Sequence, residues 1–165
     1  MGLEDTILKK YFSDKTRLAD IFNYYCFNGR EEIRAEEIET KDSVENLVIS
    51  DRLASAERNG TTLLLLGIEN QKAIHYGMPL RNLLYDAITY ANQAEALAKY
   101  NRNRNSRSKT TSGEFLSGIG KGQKLKPVIT LVLYYGKEPW DGPKTLADML
   151  DLESIPKQLQ PYIQS

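Results

Sequence analysis

The stretch Asn46–Gln71 contains two apolar runs that flank a turn signal. The second run, Leu63–Ile68, is almost wholly aliphatic, as expected for a strand that is buried on both faces of a sheet. The first run, Leu47-Val48-Ile49, leads into Asp51. Asn59-Gly60 lies between the runs and favours a tight hairpin turn, because both residues tolerate positive φ. We therefore predict a hairpin of two strands.

Residues 14–28 repeat apolar side chains at helical spacing and predict the first helix. Ser13 or Asp14 is placed to cap its start, and Asn28-Gly29 is placed to end it. Asp20 lies on the flank of this helix, where a solvated charge is the simplest interpretation. The positions expected to be buried are Leu18, Ile21, Phe22, Tyr25 and Cys26.

The clearest helical repeat follows Pro79 and predicts a helix of about five turns. Pro79 suits the first helical position, because the N–H that proline lacks has no partner there. Arg81, Tyr85 and Thr89 form a second, polar stripe that faces either solvent or a substrate. The aliphatic stripe, which we expect to face the core, consists of Leu80, Leu83, Leu84, Ala87, Ile88, Ala91, Ala94 and Leu97.

Two further stretches predict the remaining strands. Residues 30–42 alternate charged and small apolar groups, which indicates an amphipathic strand near an edge. Pro127–Tyr135 is almost entirely apolar and predicts another buried strand. A long helix separates it from the hairpin, so we expect a parallel crossover connection. The order is helix, strand, two-stranded hairpin, long helix and strand, which predicts an α/β fold with a mixed central sheet flanked by helices.

The composition restricts the chemistry that the chain can perform. There are 165 residues, a formal net charge of zero, one cysteine (Cys26) and one histidine (His75). This length is most simply one domain, and no run resembles a membrane span or a secretory signal. A single histidine excludes a His-cluster metal centre made by one chain and favours carboxylate ligands, which prefer hard cations such as magnesium or manganese. We expect a cytoplasmic protein with no membrane partner.

Two carboxylates stand at the ends of the predicted hairpin strands, Asp51 and Glu69. Burying such groups is costly unless they are paired or hold a cation, so both are candidate metal ligands. Glu69 and Gln71 share one face of a strand because they are two residues apart. Asp51 joins that face only with a bulge or an odd-length turn, such as a three-residue loop ending in Gly60. Otherwise Asp51 caps a strand and Glu69 is a solvated strand end.

The segment 99–126 is polar and basic without apolar periodicity, and it predicts a flexible loop. Its eight Lys and Arg side chains outweigh one acid, Glu114, which indicates contact with a polyanion. A merely soluble disordered loop is the alternative. The phosphate-loop spacing G-x-x-x-x-G-K-[ST] is absent, so we expect no nucleotide cofactor. The basic residues are Lys99, Arg102, Arg104, Arg107, Lys109, Lys121, Lys124 and Lys126.

The order of these elements, with an acid at each hairpin end, resembles the restriction-endonuclease-like αβββαβ core of the PD-(D/E)XK nucleases. Over residues 15–150 the chain is similar to one group of them, the transposase-related family of recombination-promoting nucleases. The order and spacing of short matching pieces carry this resemblance. The pieces are Asp20-Ile21-Phe22-Asn23, Ser50-Asp51, Gly67-Ile68-Glu69-Asn70-Gln71, Met78-Pro79-Leu80-Arg81, Tyr85-Asp86, Pro127-Val128-Ile129, Tyr134-Tyr135-Gly136 and Pro139-Trp140.

The resemblance implies a role for each matching residue. Asp51 and Glu69 would be magnesium ligands, and Asp20 would reach the same site from the first helix. Gln71 would take the place of the lysine in the general motif. Glutamine can orient an attacking water through hydrogen bonds, but it carries no charge with which to neutralise the reacting phosphate.

The predicted function is that of a magnesium-dependent DNA endonuclease with little sequence specificity, linked to recombination or transposition. Arg81 and Tyr85 would either support the metal ligands or face DNA. Double-strand cleavage by one active site per chain favours a homodimer. The predicted DNA-binding residues are Arg81, Tyr85, Arg102, Arg104, Arg107, Lys109, Lys121 and Lys124.

Three alternatives stay open at this point. The chain could be a catalytically weak or inactive DNA-binding module, a protein-interaction domain whose acids are structural, or a nuclease that acts on RNA. We expect residues 1–150 to form the nuclease-like domain. Residues 151–165 form a C-terminal tail that is either loosely docked or the start of a longer extension.

Overall fold

The computed structural model describes residues 3–41, 52–58, 61–104 and 111–163. These ranges form an α/β fold, as predicted, in the expected order, with one further helix at the start and a short one before the last strand. The helices are α1 (Leu3–Tyr11), α2 (Lys15–Phe27), α3 (Met78–Arg104) and α4 (Ser112–Ser117), and the strands are β1 (Ile38–Lys41), β2 (Arg52–Arg58), β3 (Thr61–Gln71) and β4 (Val128–Tyr134).

The four strands of the described ranges form one mixed sheet in the order β1-β2-β3-β4. β1 lies at an edge and pairs antiparallel with β2, which pairs antiparallel with β3. β3 and β4 run parallel, which confirms the predicted crossover through the long helix. The edge strand occupies only the end of residues 30–42, because a short 3-10 helix at Ala35–Glu37 precedes it.

The ladder between β2 and β3 is irregular near the hairpin turn. Ala56 pairs with Leu64, whereas the next residue, Glu57, pairs with Thr62, so one residue of β3 is left over between them. This bulge supplies the one-residue shift that the metal-site hypothesis requires. The structure places the shift within β3, and the predicted Asn59-Gly60 turn lies outside the described residues.

One face of the sheet packs against α2. Leu18 and Phe22 of this helix are buried together with Ile38 of β1 and with Leu66 and Ile68 of β3. Burying an aliphatic or aromatic side chain of this size contributes roughly 1.5–3 kcal/mol. The hydrophobic core therefore lies on this face of the sheet and anchors β3 to α2.

The ends of α2 are those predicted. The Asp14 side chain caps its start by accepting a backbone N–H at 2.9 Å, and Asn28, with a φ of 53°, ends it. The expected burial of Tyr25 is wrong, since this side chain is 63% exposed. Asn23 is buried on the helix instead and donates from Nδ2 to Ile33 O at 2.7 Å, which fixes the chain entering β1.

The orientation predicted for α3 is wrong, because its apolar stripe faces outward. Leu80, Leu83 and Leu84 are 55%, 47% and 55% exposed. Tyr85 and Thr89, which belong to the polar stripe, are buried instead. The helix lies on the sheet face opposite α2 and turns its polar side toward the strands.

The reason lies in the sheet face that α3 covers. β3 presents Glu69 and β4 presents Thr130 to the helix. Buried polar groups need hydrogen-bond partners, and leucines cannot supply them. Arg81 of the polar stripe contacts Glu69, and Asp86, which follows Tyr85 in the chain, accepts a hydrogen bond from Thr130.

Much of the segment predicted as a flexible basic loop has regular structure in the part that is described. α3 continues to Arg104. α4 follows Thr111, whose side chain forms a capping box with Glu114. Asn101 Nδ2 donates to Gly118 O at 2.8 Å, so the segment after α4 docks on the C-terminal half of α3.

The residues after β4 form turns and short helical segments. Two 3-10 helices, Ala147–Met149 and Gln160–Tyr162, occur in the described part of this region. Leu159 and Tyr162 in the tail are 52% and 83% exposed. None of the helices in the described ranges combines the length and the apolar character needed to cross a lipid bilayer.

Candidate active site at the end of strand β3

A buried carboxylate lies near the end of β3. Glu69 is only 2% exposed. Gln71 Nε2 donates to Glu69 Oε1 at 2.8 Å, which confirms that the two side chains share one face of the strand. Arg81 Nη2 of α3 lies 2.7 Å from the same oxygen. Glu69, Gln71 and Arg81 form what we call the acid cluster.

Arg81 offsets the cost of burying this acid. A carboxylate is expensive to bury unless an opposite charge and hydrogen bonds compensate for lost water. Tyr85 holds the guanidinium in place, because Arg81 Nε donates to the Tyr85 hydroxyl and Cζ lies 5.4 Å from the ring centre. A cation over an aromatic face is itself favourable. Arg81 and Tyr85 of the polar stripe therefore stabilise the buried Glu69 carboxylate. The interpretation of this stripe as solvent-facing is wrong.

The other predicted metal ligands have different positions. Asp51 lies outside the described residues. Strand β2 begins one residue later, at Arg52, which pairs with Ile68 of β3. Asp20 is exposed on α2, which covers the opposite sheet face. The described ranges contain no group of three or more His, Cys, Asp or Glu side chains arranged to hold a metal ion. Glu69 is the predicted ligand that the described part of the chain buries.

A second polar pair, which sequence reasoning did not assign, lies on the same sheet face. Thr130 Oγ1 donates to Asp86 Oδ1 at 3.0 Å, and Thr130 pairs with Gly67, two residues before Glu69. Partial burial raises the pKa of the Asp86 carboxyl, and the Thr130 hydrogen bond opposes that rise. A Cβ at Gly67 would come within 2.8 Å of Thr130 Oγ1. The available sequence signal is this glycine inside an aliphatic strand, which often marks a close approach.

A cleft of about 260 Å³ adjoins the acid cluster. Val132 and Tyr134 of β4 line it, and they pair in register with Glu69 and Gln71. Trp140 also lines it, with a ring centre 5.1 Å from that of Tyr134. Trp140 belongs to one of the pieces that carry the resemblance, and no sequence signal marks the cleft itself. The remaining lining residues are Met78, Pro79, Asn82, Pro143 and Lys144.

The predicted DNA-binding residues divide between the two ends of α3. Arg81 and Tyr85 lie at its start, in contact with the acid cluster. The path along the helix from Arg81 to Arg102 is about 30 Å at a rise of 1.5 Å per residue. Hydrogen bonds between Asn101 and Gln123 bring the chain after α4 to the far end. There Arg102, Arg104, Lys121 and Lys124 are exposed and form what we call the basic end, whereas Arg107 and Lys109 lie outside the described residues.

No protein-family model, curated protein or solved structure matches the chain. What its own geometry defines is an α/β protein with a mixed four-stranded sheet in the described ranges. A buried glutamate, a glutamine and an arginine meet near the end of its strand β3.

Proposed function

We propose that the chain is a magnesium-dependent DNA endonuclease that hydrolyses phosphodiester bonds with little sequence specificity. The observation that carries this proposal is the buried Glu69 carboxylate near a strand end, with Gln71 bonded to it on the same face. A buried acid beside a cleft is the kind of group on which functional sites depend. The resemblance to recombination-promoting nucleases adds that the cleavage serves recombination or transposition.

The donor set suits a hard cation. Carboxylate and amide oxygens are the ligands that magnesium and manganese prefer. Glu69 would hold the ion with Asp51, as the resemblance implies; Arg52, which follows Asp51, pairs with Ile68, which precedes Glu69. Asp20 is the less favoured third ligand, since it is exposed on the helix behind the sheet. A bound ion supplies Lewis acidity and lowers the pKa of its water.

Arg81 offers the positive charge that Gln71 lacks. In the general motif a lysine neutralises charge on the reacting phosphate, whereas glutamine can only orient water through its amide. We assign the neutralising role to the positive charge of the Arg81 guanidinium, whose Nη2 lies 2.7 Å from Glu69 Oε1. Gln71 keeps the role of orienting the attacking water.

Plasmid relaxation in magnesium, manganese, calcium or EDTA tests the proposal. We expect cleavage in magnesium and manganese, and none in EDTA. Asp51→Asn should slow cleavage at least about a hundredfold, since changes around metal ligands already cost up to that much. Asp151→Asn, an exposed aspartate in the tail, is the matched control. Equal rates for the two variants would remove Asp51 from the site.

An inactive DNA-binding module is the second candidate function. The Arg81–Glu69 ion pair favours it, because an arginine already neutralises the predicted metal ligand. Such a module would bind DNA with a steep salt dependence and cut nothing in any metal. A protein-interaction domain would show neither property. The same cleavage assay with RNA in place of plasmid DNA shows which nucleic acid is the substrate. Analytical sedimentation of the protein under the cleavage conditions measures whether it is a homodimer.

A further inference from the structure

The outward side of α3 is apolar over the first half of the helix. From Leu80 to Ala91 every exposed side chain is apolar. The two charged residues in this stretch, Arg81 and Asp86, are half-buried on the side toward the sheet. A strip without charged groups is typical of the centre of a protein–protein interface. The exposed residues, which we call the outer stripe, are Leu80, Leu83, Leu84, Ala87 and Ala91.

The chain itself covers the continuation of the outer stripe. Ala98 comes seven residues after Ala91, lies on the same side of the helix and is buried. Gly118 packs so closely on this alanine that a Cβ at Gly118 would lie 2.5 Å from the Ala98 Cβ. Leu80 and Leu84, by contrast, are each 55% exposed. An alanine on this side of α3 therefore admits close packing, and the outer stripe is the part of the side that stays open.

The outer stripe is complementary to itself in an antiparallel pair of helices. The spacing from Leu80 through Leu84 and Ala87 to Ala91 alternates four and three residues, as in a helix that packs along one seam. With a two-fold axis at the middle of the stripe, Leu84 lies opposite Ala87 of the partner subunit. Leu80 then lies opposite Ala91 of the partner subunit. A large side chain therefore meets a small one at these positions, and the symmetry repeats each contact.

We propose that the outer stripe is the contact surface of a homodimer, with α3 of a second copy of the chain as its occupant. The stripe is about 17 Å long at a rise of 1.5 Å per residue, and a helix is roughly 10–12 Å wide. This footprint is well below the area of about 800 Å² that each partner buries in a stable complex. The dimer is therefore weak, with a Kd on the order of 10–100 μM, and the chain is monomeric at lower concentrations.

Sedimentation equilibrium without DNA or metal, from about 2 to about 500 μM protein, measures this association. We expect a monomer–dimer equilibrium for the unchanged chain. Leu84→Glu places a charge at the centre of the contact and should raise the dimer Kd at least about tenfold. Ala96→Glu, at an exposed alanine of the same helix outside the outer stripe, is the matched control and should leave the Kd unchanged. Both positions are on the surface, so circular dichroism should show both variants folded.

Ala87→Leu distinguishes a packed pair of helices from non-specific association. The added apolar area would strengthen a non-specific contact. In the antiparallel pair it places leucine opposite leucine, and the crowding should raise the dimer Kd. The double variant Leu84→Ala/Ala87→Leu exchanges the two sizes across the axis and should restore the Kd to near that of the unchanged chain.

A chain that stays monomeric over the whole concentration range would overturn the proposal. Equal Kd values for Leu84→Glu and Ala96→Glu would also overturn it, and so would tighter association of Ala87→Leu. The proposal goes beyond the nuclease function and does not depend on it, because Arg81 and Tyr85 face the sheet and lie outside the contact. Failure of the dimer therefore leaves the test of DNA cleavage unaffected, and a chain that cuts no DNA can still form the dimer.

Discussion

At the scale of single residues, the acid cluster depends on Arg81. The side chain of Glu69 is 3% exposed and that of Arg81 is 35% exposed. Arg81→Met leaves a buried carboxylate without its cation. We expect the free energy of unfolding to fall by about 3 kcal/mol, the low end for breaking a buried pair, because the arginine is partly exposed. Urea unfolding measures this loss.

The control for this prediction is an arginine at the surface. Arg17, with a side chain 46% exposed near Asp14, should lose less than about 1 kcal/mol when changed to Met. The double variant Arg81→Met/Glu69→Gln should recover part of the loss, because it removes the unpaired charge. An effect of Arg81→Met no larger than that of Arg17→Met would contradict the energetic role of the pair.

Asp86 should make the protein less stable as the pH rises. Burial raises the pKa of its carboxyl above the ordinary value of 3.8, against the opposing hydrogen bond from Thr130. Because the folded pKa is the higher one, the contribution is complete below 3.8 and is lost as the pH rises through the folded pKa. Asp86→Asn should therefore raise the free energy of unfolding at neutral pH and leave it unchanged in acid. Urea unfolding across this pH range checks the prediction.

Glu37 provides a comparison of opposite sign. Its side-chain hydrogen bond with Arg58, aided by the backbone N–H of Arg34, lowers the pKa of Glu37 to about 2. The stability it contributes is present above 4.5 and is lost as the pH falls towards 2. Glu37→Gln should therefore destabilise at neutral pH and not in strong acid. Similar pH profiles for the Asp86 and Glu37 variants would contradict at least one of the two assignments.

At the scale of elements, sequence periodicity predicts where helix α3 lies in the chain but not which of its sides faces the sheet. The helical repeat and Pro79 locate the helix, whose first residues are Met78 and Pro79. The repeat cannot decide which stripe faces the sheet, because that depends on Glu69 and Thr130, which lie elsewhere in the chain. The usual rule of apolar side inward fails here because the sheet face that α3 covers includes Glu69 and Thr130, which need polar partners.

The outward leucines of α3 provide a stability test of this orientation. Leu83→Gln and Leu84→Gln should each change the free energy of unfolding by no more than about 0.5 kcal/mol, as surface substitutions do. Leu66→Ala in the core is the contrasting variant and should cost about 2–5 kcal/mol. Losses of several kcal/mol in both Gln variants would mean that the leucine stripe is buried after all.

Other elements follow local signals, and these were predictable. Asp14 and Asn28 bound α2 because capping chemistry is local, and the period of two places Glu69 beside Gln71. The Asn-Arg run before residue 105 lacks apolar residues, yet α3 continues through it to Arg104. Extending an existing helix adds a hydrogen bond for each residue, and arginine is favourable at a helix C-terminus. Arg81, Asp86 and the cleft depend on packing, which local patterns do not encode.

At the scale of the whole molecule, the acid cluster and the basic end lie about 30 Å apart along α3. A DNA molecule that contacts both the acid cluster and the basic end would gain phosphate contacts far from the cleaved bond. Arg102→Gln/Arg104→Gln should weaken binding uniformly across sequences and reduce the slope of log K against log salt by about 2, at about 0.9 for each lost contact. Fluorescence anisotropy over a salt series measures both quantities.

The matched control for the basic end is Lys10→Gln/Lys157→Gln, which removes two exposed charges elsewhere. It should leave the salt slope unchanged. Equal slopes for the two double variants would mean that net charge, and not the basic end, determines DNA affinity.

The most direct test of a nuclease site at Glu69 is magnesium-dependent plasmid cleavage by Glu69→Gln and by Glu95→Gln. Glu95 is exposed on α3 and provides the same chemical change away from the acid cluster. With both variants verified as folded by circular dichroism, we expect Glu69→Gln to lose at least about a hundredfold in rate and Glu95→Gln to match the unchanged chain. Equal cleavage by the two variants, or no cleavage by the unchanged chain in any metal, would contradict the assignment of a nuclease site to Glu69.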